Sequence, residues 1–147
     1  MSLIMTARDY QEEFWIRLSD AARKRGSLPN FGTPMNASAL PSSAGEGVSW
    51  VFHFRAKHIR VGIVTYAENQ NRHPNEAIKI AKQFVEEIEE LTGRTVIIDE
   101  SDPDSPNGRV YVKIDAFIAN DRSTWNESIS ESLDCMEIFV RILSEEI

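Results

Sequence analysis

The chain has 147 residues, of which 41% are hydrophobic, so it can build the core of one globular domain and is too short for two ordinary ones. Its formal net charge of −7 excludes broad, sequence-independent binding to nucleic acid or to anionic membranes, because both need a positive surface. A local basic face is still compatible with this charge.

Cysteine usage and hydropathy bear on the compartment. The single cysteine, Cys135, excludes an internal disulfide and a multi-cysteine metal site, and it fits a reducing environment. No apolar run approaches the roughly 20 residues that a membrane-spanning helix needs, and the N-terminal residues lack the pattern of a signal peptide. The sequence therefore predicts a cytoplasmic protein that does not enter a membrane.

The first predicted element is a helix over residues 6–24, where apolar side chains recur at helical spacing at Tyr10, Phe14 and Leu18. Gly26 ends this helix. Residues 27–47 contain prolines, glycines, serines and small residues without a period, which predicts a long loop. We therefore expect a single domain over residues 1–147 with a loop-rich segment at 27–47.

Two strands and a helix are predicted next. The run SWVFHFR alternates Trp50, Phe52 and Phe54 with other side chains, and IRVGIVTYA is rich in β-branched residues, so the two runs should pair as antiparallel strands. A helix then begins near Pro74 and ends at Gly93.

The last part of the chain predicts two more strands and a final helix. The strands are RTVIID and RVYVKIDAFI, and the alternation of the second places its even-numbered residues on one buried face through Ile118. The final helix follows a capping box from Thr124 to Glu127 and carries one apolar stripe. The expected fold is α+β: an antiparallel sheet of about four strands with helices on one face, in the order α-β-β-α-β-β-α.

The acidic stretch DESDPDSPNGRVYVK invites a metal-site hypothesis. As a calcium loop starting at Asp102 it lacks the required residues at three positions. As a magnesium nuclease motif it has Pro103-Asp104, but Tyr111 stands where the second carboxylate is needed, and a phenol does not replace that ligand. A turn between two strands explains the stretch better, since aspartate, proline and Asn-Gly are typical of turns.

Other candidate catalytic groups are also weak. His53, His58 and His73 are expected on a strand, a turn and a helix start, where a surface or capping role suits them better than metal binding. Cys135 lies beside an apolar stripe and is expected to be a small buried side chain. The sequence thus predicts no catalytic residue, no metal site and no cofactor.

The strand pattern does predict one functional surface. If the even-numbered strand residues face the helices, basic and aromatic side chains share the opposite face, and such a mixture suits phosphates and bases. The candidate nucleic-acid-binding residues are Arg55, Arg60, Tyr66, Arg109, Tyr111 and Lys113. An ordinary solvent-exposed sheet face is the competing interpretation, since arginine, lysine and tyrosine are common there.

Three blocks of the sequence resemble an uncharacterised prokaryotic domain of unknown function. They are the helix containing Tyr-x-x-x-Phe-Trp, the helix ending in Ile-Glu-x-x-x-Gly, and the C-terminal helix with an early Trp and a late Phe. The matching positions are Tyr10, Phe14, Trp15, Ile88, Glu89, Gly93, Trp125 and Phe139. Members of that family often lie C-terminal to restriction-endonuclease-like nuclease domains, whereas this chain contains no nuclease part. The resemblance therefore implies an accessory module and no catalytic residue.

Three functions follow from these observations. The first is a non-catalytic accessory or interaction domain with a protein partner, associated with DNA restriction or repair proteins. The second is a nucleic-acid-binding module that uses the basic and aromatic sheet face. The third is a metal-dependent hydrolase that uses Asp99, Glu100, Asp102 or Asp104 with a divalent cation. Apolar side chains in the loop-rich segment and the terminal helices leave room for a homodimer.

Overall fold

The computed structural model describes residues 5–32, 38–45, 47–66, 76–100 and 108–147. Within these ranges the fold is α+β, with four α-helices and one five-stranded antiparallel sheet. The helices are α1 (Ala7–Arg25), α2 (Glu76–Lys82), α3 (Val85–Thr92) and α4 (Trp125–Leu143), and a short 3-10 helix (Arg122–Thr124) precedes α4. The strands are β1 (Ala39–Gly45), β2 (Val48–Phe54), β3 (Ile59–Thr65), β4 (Ile97–Asp99) and β5 (Gly108–Ile114).

The sheet has the strand order β1-β2-β3-β5-β4, so β3 is its central strand. The four predicted strands are present, and β2 and β3 pair antiparallel as expected. The expectation of about four strands with a loop over residues 27–47 is wrong in one respect, because β1 lies within that segment. Its residues carry little strand preference; β1 is instead fixed by its pairing with β2, where buried Leu40 lies opposite Phe52.

The predicted helix between β3 and β4 is two helices in the described residues. α2 ends at Lys82 and α3 begins at Val85, because Phe84 leaves the helical conformation with φ −111° and ψ 7°. Both helices bury the same side, through Ile78 on α2 and Ile88 on α3. The predicted start of this helix at Pro74 lies outside the described residues. The observed order is therefore α-β-β-β-α-α-β-β-α.

All four helices pack on one face of the sheet, where the even-numbered residues of β2 and β5 and the odd-numbered residues of β3 point. At one end, five rings form the aromatic cluster, with Phe14 of α1 at its centre. Its ring centroid lies 4.8 Å from that of Phe117 and 5.4 Å from that of Trp125. The cluster consists of Phe14, Trp15, Phe54, Phe117 and Trp125.

The end of β5 departs from the predicted alternation. The strand stops at Ile114 and a turn follows, so Phe117 enters the core and Ile118 is 43% exposed. The predicted capping box at Thr124 does not form, because Thr124 is already helical and its hydroxyl bonds the carbonyl of Asp121. A capping box is present instead at α1, between Thr6 and Asp9.

Cys135 lies on the buried side of α4 and is 4% exposed. Burial raises the pKa of its thiol, although nearby Arg94 acts in the opposite direction. None of the described helices combines the length and the apolar character that a bilayer crossing requires.

Candidate functional site on the outer face of the sheet

The face of the sheet opposite the helices, here called the outer face, carries the predicted binding residues. Directly paired residues share a face, and the pairings of β2, β3 and β5 place His53, Arg60 and Lys113 in one row across the sheet. Tyr111 lies opposite Gly62 in the next row, and Arg109 lies opposite Val64. Arg55 follows β2 and Tyr66 follows β3. The fold thus places Arg60, Arg109, Tyr111 and Lys113 on one face, while Arg55 and Tyr66 lie at opposite ends of the β2–β3 hairpin.

Four side chains of this face, here called the cationic cluster, have no carboxylate partner among the described residues. The cluster consists of Arg55, Arg60, Arg109 and Lys113, and none of them takes part in an ion pair within the described part of the chain. Elsewhere in the structure, six basic side chains do pair with carboxylates: Arg17, Arg23, Arg25, Lys82, Arg94 and Arg122. The outer face therefore concentrates positive charge in a chain that is acidic as a whole.

Two carboxylates lie at the margin of this face. Asp99 is the cross-strand neighbour of Arg109 on the short edge strand β4, and Asp115 follows the end of β5. The Asp115 charge acts on His58, whose pKa is nevertheless lowered by burial and by Lys113 and Arg60. The positive side chains therefore determine the electrostatics at this end of the face.

The two tyrosines of the face are engaged in contacts within the protein. The ring of Tyr111 is only 7% exposed, and the Arg60 guanidinium lies 4.8 Å from its centroid in a cation–π contact. The hydroxyl of Tyr66 donates a hydrogen bond to Ser49 Oγ. A ligand approaching the centre of the face therefore meets the Arg60 guanidinium before it meets the Tyr111 ring.

His53 lies among the cations and is only 8% exposed. Burial, together with the charges of Arg109, Arg55 and Arg60, lowers its pKa to about 4, so the ring is neutral near pH 7. His58 is also held close by, because its Nε2 accepts a hydrogen bond from Arg60 Nε at 3.3 Å. Strand alternation places His53 on this face, but the effect of Arg109 on it depends on how the Arg109 side chain lies across the face.

Arg55 contains an unusual polar group. Its Nε atom is buried and has no hydrogen-bond acceptor among the described residues. Burial, with the charges of Arg60 and Arg109, also lowers the pKa of this guanidinium. A buried N–H donor without an acceptor costs about 1–3 kcal/mol, so a movement of the Arg55 side chain that brings this group to a ligand oxygen would stabilise this end of the face.

The acidic stretch before β5 offers less support for metal chemistry. Asp102 and Asp104 lie outside the described residues, Glu100 forms an ion pair with Lys82, and Asp99 lies at the β4 edge. In the ranges that the structure describes, no group of three or more histidine, cysteine, aspartate or glutamate side chains is placed to hold a metal ion. The hydrolase hypothesis thus gains no supporting geometry.

A cleft of about 440 Å³ between α1 and α4 is the main alternative site. Its floor includes Ile129 and Leu133, and its rim includes Arg17 and Arg25. Both arginines are neutralised, Arg17 by Glu13 and Arg25 by two acidic residues of α4. The outer face is the stronger candidate, because its four basic side chains have no carboxylate partner in the ranges that the structure describes.

The buried state of His53 predicts a pH dependence of stability. The unfolded chain takes up a proton near pH 6.5, whereas the folded chain resists protonation until about pH 4, so stability falls as pH drops through this window. Between pH 7 and pH 4.5 we expect the protein to lose about 1–2 kcal/mol more than a His53→Gln variant, since partial solvent access reduces the full effect. Urea unfolding at several pH values measures both; parallel losses would show that His53 titrates normally in the folded protein.

Comparisons with protein-family models, with characterised proteins and with solved structures give no significant match to this chain. The resemblance to the domain of unknown function therefore stays a prediction. Of its eight matching positions, five are fully buried in the core: Phe14, Trp15, Ile88, Trp125 and Phe139.

Proposed function

We propose that the protein is a non-catalytic binding domain that binds nucleic acid through the outer face of its sheet. The observation that carries this proposal is the cationic cluster, four neighbouring basic side chains without carboxylate partners in the described structure of a chain with a net charge of −7. Cations held together without counter-charges repel one another, and a polyanion relieves that repulsion while releasing its own counterions.

The arrangement favours a single strand as the partner. Arg60 and Lys113 are cross-strand neighbours, and Arg109 lies four residues from Lys113 along β5, roughly 13 Å away. Basic side chains from neighbouring strands can therefore together contact more than one phosphate of an extended strand. The planar Arg60 guanidinium, held against Tyr111, offers a surface on which an unpaired base stacks.

A non-catalytic role agrees with the same face. Its two histidines are packed among cations, and the carboxylates that lie near it are at the margin, where Asp99 faces Arg109. An accessory role beside DNA restriction or repair proteins, which the sequence resemblance implies, fits a module that holds a strand without cutting it. This association is part of the proposal and rests on the resemblance alone.

A charge-removal variant tests the proposal. We expect the triple variant Arg55→Gln, Arg109→Gln, Lys113→Gln to bind a fluorescently labelled single-stranded oligonucleotide about 100-fold more weakly than the unaltered protein in an anisotropy titration. The slope of log affinity against log salt concentration should also fall, by about 0.7 for each phosphate contact that is lost.

A matched control separates the outer face from overall charge. The triple variant Arg23→Gln, Lys24→Gln, Arg141→Gln also removes three positive charges, but from exposed positions on α1 and α4. We expect it to bind within about threefold of the unaltered protein, because distant surface charges are screened. Equal losses in both variants, or no binding by the unaltered protein, would refute the proposal and leave a protein partner as the better hypothesis.

A further inference from the structure

We propose that the outer face contains a discrete phosphate site, in which Arg55, Arg60 and Arg109 bind one phosphate group beside His53. This inference rests on the proposed function for the source of the phosphate, a group of the nucleic-acid strand. The site itself is argued from four features of the described residues.

The first feature is the buried Nε of Arg55, a hydrogen-bond donor with no acceptor among the described residues. A phosphate oxygen is an ionised acceptor, and hydrogen bonds between a guanidinium and an oxyanion are among the strongest in proteins. The arginine fork matches phosphate geometry with two parallel N–H groups, which the ammonium of lysine does not do. Arg55 is therefore the residue from which the site is defined.

The second feature is the convergence of three guanidinium groups. Arg60 and Arg109 both lower the pKa of Arg55, and all three arginines lower the pKa of His53. Arg109 lies on β5, two strands away from His53. The β5 residue in register with His53 is Lys113, and Arg109 precedes it by four residues. For all three charges to act on one histidine, the Arg109 side chain has to extend from its own position on β5 toward the His53 end of the face.

The third feature is Gly62, where the strands that carry Arg60 and Arg109 approach each other closely. The register pairs Arg60 with His53 and Val64 with Arg109, so Gly62 lies between these two pairs on β3. A Cβ atom at residue 62 would lie 1.9 Å from the carbonyl oxygen of Val110 on β5. The absence of a side chain therefore keeps β3 and β5 close together where their basic side chains converge.

The fourth feature is the charge balance around His53. It is faced by Arg55 just after its own strand, by Arg60 on β3 and by Arg109 on β5, while its β1 neighbour Ala39 carries no charge. His58 accepts a hydrogen bond from Arg60, which orients that guanidinium. Two carboxylates of the described residues lie at the margin of the face: Asp115 acts on His58, and Asp99 is paired in register with Arg109. A bound phosphate supplies the missing negative charge.

The test uses inorganic phosphate as the first probe and follows the imidazole resonances of His53 by NMR. We expect phosphate to shift these resonances in a saturable manner and to raise the His53 pKa by about one unit or more, because an anion placed beside the ring favours its charged form. Sulfate, a second tetrahedral oxyanion, should produce the same effect. No saturable shift with either ion would overturn the inference, and this measurement needs no variant.

A pair of single variants tests the role of Arg55. Arg55→Lys keeps the charge but removes the buried Nε–H and the planar fork, so we expect phosphate affinity to fall about tenfold. Lys57→Gln removes a neighbouring charge from the exposed turn of the same hairpin and should change affinity by no more than about twofold. If Arg55→Lys binds phosphate as well as the unaltered protein does, the site is not built on Arg55 and the inference is wrong.

An oligonucleotide titration of the same variants distinguishes the phosphate sources. Parallel loss of phosphate and single-strand binding in Arg55→Lys supports both the site and the proposed function. Phosphate binding at Arg55 without any oligonucleotide binding keeps the site, assigns it to a free phosphorylated ligand and overturns the proposed function. Oligonucleotide binding that Arg55→Lys leaves intact, without a phosphate effect on His53, overturns the site and keeps the proposed function.

Discussion

Replacement of Phe14 by alanine is expected to lower the free energy of unfolding by about 3–5 kcal/mol, the largest effect of any single truncation that we predict. The Phe14 ring is fully buried at the centre of the aromatic cluster. It contacts Phe54 of β2 at 5.6 Å between ring centroids, as well as Trp125 of α4. Removing it leaves a cavity where a helix from each end of the chain meets the sheet, and the surrounding rings are too rigid to fill it.

The matched control for this change is Ile16→Ala, two residues further along α1. Ile16 is 49% exposed, so its truncation should alter stability by no more than about 0.5 kcal/mol. Urea unfolding followed by tryptophan fluorescence measures both, since two tryptophans belong to the aromatic cluster. A cost below about 1 kcal/mol for Phe14→Ala would mean that α1 does not pack on the sheet as described.

Gly62→Ala is expected to lower the free energy of unfolding by about 3 kcal/mol, opposite in sign to the usual effect of this substitution within a strand. A Cβ atom at residue 62 would lie 1.9 Å from the carbonyl oxygen of Val110 and 2.7 Å from Tyr111 Cα. These are backbone atoms of β5, so the overlap is relieved only if the paired strands β3 and β5 move apart. The loss of strand pairing at the centre of the sheet accounts for the large cost.

Gly108→Ala provides the control for Gly62→Ala in the neighbouring strand. There the nearest atom to an added Cβ is Ile78 Cδ1 at 3.1 Å, the end of a flexible side chain. We expect a change of at most about 1 kcal/mol, which thermal unfolding followed by circular dichroism resolves. Similar stabilities for the two variants would show that β3 and β5 are not as close at Gly62 as described.

The fold was largely predictable where hydrophobic periods are long. The alternation in SWVFHFR and RVYVKI correctly separated the two faces of the sheet, since burial of one face fixes the register. β1 was missed because Pro41, Ser42, Ser43 and their small neighbours carry no strand signal; pairing with β2 imposes the conformation. The break at Phe84 was missed because the buried side continues from α2 to α3 without glycine or proline.

The sequence predicts which residues of the candidate site share the outer face, but not how their side chains are arranged. Alternation alone places Arg109, Tyr111 and Lys113 on the same face of β5, and the antiparallel register adds Arg60 from β3. The sequence gives no sign that Tyr111 lies beneath a guanidinium or that Arg55 Nε is buried, because both depend on how side chains cross from strand to strand. The net charge of −7 likewise gives no indication that four basic side chains lie together on one face.

The reactivity of buried Cys135 can be used to measure how often the protein opens locally. A thiolate reacts with alkylating reagents far faster than a thiol does, and this thiol is both shielded by α4 packing and shifted toward its protonated form. Because the sequence contains no second cysteine, every modified molecule records one event, the exposure of that side of α4. The alkylation rate therefore measures how often the surroundings of Cys135 open, without any engineered label.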